Sequence, residues 1–135
     1  MKNDAYFLQE AIKVGNKKPK PYNFGAVIVK DGKIFAADCS HVDELTDPSA
    51  HDGISVIRKA AKKLGDYNFE GCTMYCSHEP CFMCVSAAAW AHIERIVYSN
   101  PAKENKDFIY HSEDLSIDDF ANKLPRPMKV KLIRL

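Results

Sequence analysis

Residues 72–99 read CTMYCSHEPCFMCVSAAAWAHIERIVYS, and this stretch decides the fold. Cys72 to Ser77 alternates as a strand, with Cys72, Met74 and Cys76 on one face and Thr73, Tyr75 and Ser77 on the other. Pro80 stands where a helix would begin, and Cys81 to His92 is apolar nearly all round, which predicts a buried helix. Arg95 to Ser99 is the next strand. A strand, a helix and a strand at this spacing require a parallel crossover.

The upstream sequence extends that unit. Ala5, Leu8, Ile12 and Gly15 share a helical face behind a cap at Asn3 or Asp4, and Lys17-Lys18-Pro19-Lys20-Pro21 ends the helix. Phe24–Val29 and Ile34–Ala37 flank Asp31-Gly32, a hairpin signal. A polar loop, Ser40 to Asp47, leads to a helix start at Asp47-Pro48-Ser49, with Ile54, Ile57, Ala61 and Leu64 buried and Gly65 as the stop. Downstream, a short helix near Ser116–Lys123 and an edge strand within Met128–Leu135 complete the pattern. The expected architecture is a three-layer α/β/α domain with a mixed central sheet, a single domain over residues 1–135.

Composition narrows the function classes. The chain has 135 residues, 46% of them hydrophobic, and a net charge of +1. It lacks the basic field of a non-specific nucleic-acid binder, so nucleic acid is an unlikely partner. No apolar run approaches a membrane span, and Met1-Lys2-Asn3-Asp4 is no signal peptide, so a cytoplasmic protein is expected. Five cysteines, Cys39, Cys72, Cys76, Cys81 and Cys84, are an odd number and argue for reduced thiols.

Two of those cysteines have metal-ligand spacing. Cys81 and Cys84 on one first helical turn, with His51 near the start of another, offer three ligands for Zn2+ and leave a position for water, the arrangement of a catalytic zinc. Both helix N-termini would lower the thiol pKa values. Two other readings stand beside this one: a Cys81–Cys84 redox pair, and a structural knuckle of Cys72, Cys76, Cys81 and Cys84. Cys39, Cys72 and Cys76 otherwise read as packing residues. His41, His78, His92 and His111 show no partner spacing.

Asp47-Pro48-Ser49-Ala50-His51 and Glu79-Pro80-Cys81-Phe82-Met83-Cys84 resemble the zinc deaminases of bases and nucleosides, which carry His-x-Glu and Pro-Cys-x-x-Cys. The cytidine deaminase-like fold is therefore expected. Phe24–Gly32, Ile57-Arg58-Lys59-Ala60, Trp90-Ala91 and Phe108-Ile109-Tyr110 are similar to the bacterial guanine deaminase branch. The resemblance implies a hydrolase with zinc on His51, Cys81 and Cys84, a purine or related heterocycle as small-molecule substrate, and a homodimer.

The departures fall on the chemistry. The family's His-Ala-Glu is His51-Asp52-Gly53, so Gly53 occupies the place of the proton-shuttling glutamate. Asp52 is the first candidate to replace that carboxylate; Glu79, Asp43, Glu44 and His41 are others, and the usual role of Glu79 looks structural. The asparagine that holds the base aligns with Ser40, followed by His41, and the acidic pair before Phe108 is Asn105-Lys106. The sequence stops at Leu135, where similar guanine deaminases continue into a tail. A guanine-type deaminase homologue doubtful for guanine itself, a non-catalytic zinc-binding relative, and a transfer-RNA adenosine deaminase are the readings carried forward.

Overall fold

The computed structural model describes residues 2–104 and 114–135. Its sheet has the strand order β2-β1-β3-β4-β5. β1 (Gly25–Lys30) and β2 (Lys33–Cys39) form the antiparallel hairpin around Asp31-Gly32. β1 pairs antiparallel with β3 (Thr73–Cys76), while β3–β4 (Arg95–Tyr98) and β4–β5 (Lys129–Leu132) are parallel. The sheet is therefore mixed, with the expected crossover between β3 and β4.

Pleating divides the core in two. Ala26, Ile28, Met74, Cys76 and Ile96 face α3 (Asp52–Leu64), α4 (Phe82–Trp90) and α5 (Ile117–Asn122), with Val56, Ala60, Val85 and Ala121 packed among them. Val27, Val29, Tyr75 and Val97 face the opposite way, onto Phe7, Leu8 and Ala11 of α1 (Asp4–Gly15). Three layers result, as expected. α1 lies against β1 backbone to backbone: a Cβ on Gly25 would stand 2.3 Å from the Ala11 carbonyl oxygen. Asn3 caps α1 by accepting from the Tyr6 N–H at 3.0 Å.

Three local expectations are corrected. The loop after β2 contains a one-turn helix, α2 (Val42–Leu45). α3 begins at Asp52, after the expected start, because Asp47 is occupied in a turn in which its carboxylate accepts from Ser49 N–H and Oγ at 2.9 and 2.7 Å. α4 is not buried all round: Cys84, Val85 and Ala88 are buried, but Met83 is 37% exposed and Trp90 83%. Among the described residues, no helix is long and apolar enough to cross a membrane.

Candidate metal centre

The N-termini of α3 and α4 converge, and the residue capping each helix is a potential ligand. His51 is the N-cap of α3 and Cys81 the N-cap of α4, and the His51 side chain makes no capping bond to its own helix. His51 is therefore free to face Cys81. Cys84 projects from the first turn of α4 and is buried. Cys81 Sγ lies 3.5 Å and Cys84 Sγ 3.9 Å from His51 Nδ1, and all three donor atoms fall within 4.8 Å of one another. Zinc–sulfur and zinc–nitrogen bonds at a tetrahedral angle place S and N about 3.6 Å apart, so the donors are spaced for one such ion.

The two thiols are shifted in opposite directions. Cys84 donates to Cys81, and His51 stands beside it, so the Cys81 thiol is pulled down to about 4. Cys84, as that donor and in a buried position, is held well above the ordinary thiol value. His51 is raised, first by its bond to Cys81. A cation arriving here would displace the protons that Cys84 and His51 direct at Cys81.

Gly53 lies directly beside this centre. A Cβ built there would stand 3.1 Å from both Cβ and Sγ of Cys84 and 3.8 Å from Cε of Met74. The space next to the glycine is thus filled by a ligand thiol and an apolar methyl. Asp52 is the neighbouring carboxylate: burial raises it to about 6, and its charge acts on His51, Cys76 and Cys84. The other candidates are engaged elsewhere. Glu79 accepts from the Ala102 N–H at 3.3 Å, a structural bond. Glu44 pairs with Lys18 and His41 on α2, and Asp43 lies on the same short helix.

The remaining residues sort as follows. Cys72 and Cys76 are core residues at 1% exposure, and the donor group containing Cys81 and Cys84 is completed by His51. Ser40 is buried, its N–H donating to the Phe24 carbonyl at 3.1 Å. His41 is corrected: it has partners, Asp38 at 2.6 Å and Glu44 at 2.7 Å. The spacing Asp38-x-x-His41-x-x-Glu44 was the available signal for them. Asn105 and Phe108-Ile109-Tyr110 lie outside the described residues. His78 takes Ser77 Oγ at 2.8 Å and packs on Phe24, and burial lowers it to about 4.

Fold and donor set define the class: a three-layer α/β domain presenting two cysteines and a histidine to a metal ion at paired helix N-termini. Residues 1–100 match the cytidine and deoxycytidylate deaminase zinc-binding region, and the chain belongs to that family. The guanine deaminase of Bacillus subtilis is 47% identical over 76 residues, 56% of this chain and 49% of that enzyme. The tRNA-specific adenosine deaminase of Aquifex aeolicus is 35% identical over 96 residues, 70% of this chain and 64% of that protein. The matches thus span about half to two-thirds of those relatives. The X-ray structure of the Bacillus subtilis guanine deaminase superposes with a TM-score of 0.73 at 34% identity, covering 94% of this chain and 84% of that one. A structure from work on tRNA:A34 deaminases gives 0.75 at 26% identity, covering 96% and 98%.

Proposed function

We propose that this chain is a zinc-binding homologue of the purine nucleobase deaminases that takes a guanine-like heterocycle but turns guanine itself over negligibly. His51, Cys81 and Cys84 are the proposed ligands. When bound there, zinc supplies the Lewis acidity that activates water. The observation that carries the reading is Gly53, a residue without a side chain at the family's glutamate position and packed against Cys84.

A proton delivered by a positioned acid is typically worth 10²–10⁴-fold in rate. Asp52 is the proposed replacement, because it is the carboxylate whose charge reaches the ligand cluster. It is one residue, about 100°, around the helix from the glutamate position and has a shorter arm. Ser40, with Asn105, is the proposed substrate contact, since both ring nitrogens of the neighbouring His41 are taken by Asp38 and Glu44. We further propose one domain over residues 1–135, cytoplasmic and homodimeric through the exposed apolar face of α4.

The test is ammonia release from guanine and a purine panel, with bound metal counted on the same samples. About one zinc held through this centre and guanine turnover near background are expected, with turnover rising on Gly53→Glu. The 3.1 Å contact requires Cys84 to yield a few tenths of an ångström to that side chain. Robust guanine turnover by the natural sequence, lost in Asp52→Asn, would show that the acid has moved and would overturn the negligible-turnover reading. Likeness to the Aquifex aeolicus tRNA-specific adenosine deaminase over 70% of this chain supports a transfer-RNA substrate equally. Inosine formation in an anticodon stem-loop would select it over a free purine.

A further inference from the structure

We propose a second divalent-cation site, independent of the first, formed by Asp38, Cys39 and His41 where β2 runs into α2, and suited to zinc. The three donor atoms lie within 4.8 Å of one another, with Cys39 Sγ 4.0 Å and Asp38 Oδ1 2.6 Å from His41 Nε2. Sulfur, imidazole nitrogen and carboxylate oxygen are all zinc donors, and three protein ligands leave one position for water.

The outer contacts favour the same reading. His41 directs Nε2 at the cluster and its other nitrogen, Nδ1, at Glu44 Oε1, 2.7 Å away. A carboxylate on the far nitrogen fixes the tautomer and ring orientation of a metal-binding histidine. Glu44 is itself held by Lys18. An ion pair alone explains Asp38, His41, Glu44 and Lys18. It does not explain the thiol of Cys39, 94% buried and turned towards the same imidazole nitrogen.

Binding exchanges protons for the ion: the Cys39 thiol and His41 Nε2 each give up one to solvent. The 2.6 Å separation of His41 Nε2 and Asp38 Oδ1 is that of a shared proton. It widens to about 3.3 Å around a tetrahedral zinc. The site also touches the first centre through the backbone, since His41 N–H donates to the Ala50 carbonyl at 2.9 Å, one residue before His51. A cation here braces the segment that presents His51.

The experiment counts metal and records cobalt spectra on the full chain and three variants. With Zn2+ at micromolar free concentration, the natural sequence should bind two equivalents. Cys39→Ser and His41→Gln should each bind one. Cys81→Ser/Cys84→Ser should retain one, and on Co2+ substitution should show thiolate-to-cobalt charge transfer from the single sulfur of Cys39. Far-UV circular dichroism checks folding, and His41→Gln gives the same reading should Cys39→Ser misfold. A natural count of one that is unchanged by His41→Gln overturns the second site. A natural count of one that survives Cys81→Ser/Cys84→Ser but is lost in His41→Gln upholds the second site and overturns the first.

Discussion

At the scale of single residues, Gly53 is constrained by Cys84 and Met74, and His78 by Ser77 and Phe24. A glycine inside a helix ordinarily costs about 1 kcal/mol relative to alanine. Gly53→Ala should not recover that amount, because the new Cβ meets Cys84 at 3.1 Å and Cys84 must yield a few tenths of an ångström to it. Chemical denaturation of the zinc-loaded variant should show no gain, and a rise near 1 kcal/mol would mean that Cys84 moves freely. His78 supplies a pH dependence. Its folded pKa is about 4, below the unfolded value, so the unfolded chain binds the extra proton as pH falls. Its share of stability is complete above pH 6.5 and is lost on descent towards about 4. The shift amounts to at most about 3 kcal/mol, less where water reaches the partly buried ring. Comparing the natural sequence with His78→Leu isolates this group: relative to the variant, the natural protein should lose about 2 kcal/mol between pH 7.5 and 4.5. Parallel stability curves would show that His78 is not buried neutral.

At the scale of elements, Asp4 joins the first helix to the centre of the sheet. It accepts from both Nη atoms of Arg95 on β4, at 2.9 and 2.7 Å, and from Tyr75 Oη on β3 at 2.7 Å. The Arg95 guanidinium holds its carboxyl well below the usual range. The stabilisation is therefore present above the ordinary carboxylate pKa and lost as pH falls through the lowered one. Asp4→Asn should cost about 1–3 kcal/mol at neutral pH, with the difference shrinking in acid; urea titrations at several pH values check both statements. None of these long-range partners was legible in the sequence, because a side-chain bond spanning 91 residues leaves no local period. The strands, by contrast, were legible residue by residue: Met74 and Cys76 against Tyr75 follow from alternation alone. α3 starts later than Asp47-Pro48 suggests as cap and first turn, because Asp47 is spent on Ser49. His51, Cys81 and Cys84 were legible because ligands must sit at fixed spacings on helix starts. Of the Asp38–Cys39–His41 cluster, only the Asp38-x-x-His41 spacing is legible; the end of β2 and the turn into α2 bring Cys39 to the same imidazole.

At the scale of the whole molecule, one surface stands out from the three-layer packing. Helix α4 inserts Cys84, Val85 and Ala88 into the core and presents Met83 and Trp90 outward, one helical stripe at i and i+7. A tryptophan at 83% exposure gains much by burial, and Trp is among the residue types that dominate protein interfaces. The same helix carries Cys81 and Cys84, so a second copy docked along the stripe would press on the element that holds two of the three metal donors. The proposed homodimer and the metal centre should then be coupled. Trp90→Lys should convert the dimer to a monomer in sedimentation equilibrium and also weaken zinc retention against a chelator. Chelating zinc from the natural protein should in turn lower its melting temperature and loosen the dimer, as reciprocal linkage requires. A monomeric natural protein would overturn the interface. A monomeric Trp90→Lys variant that holds zinc as firmly as the natural dimer would leave the interface standing and overturn the coupling.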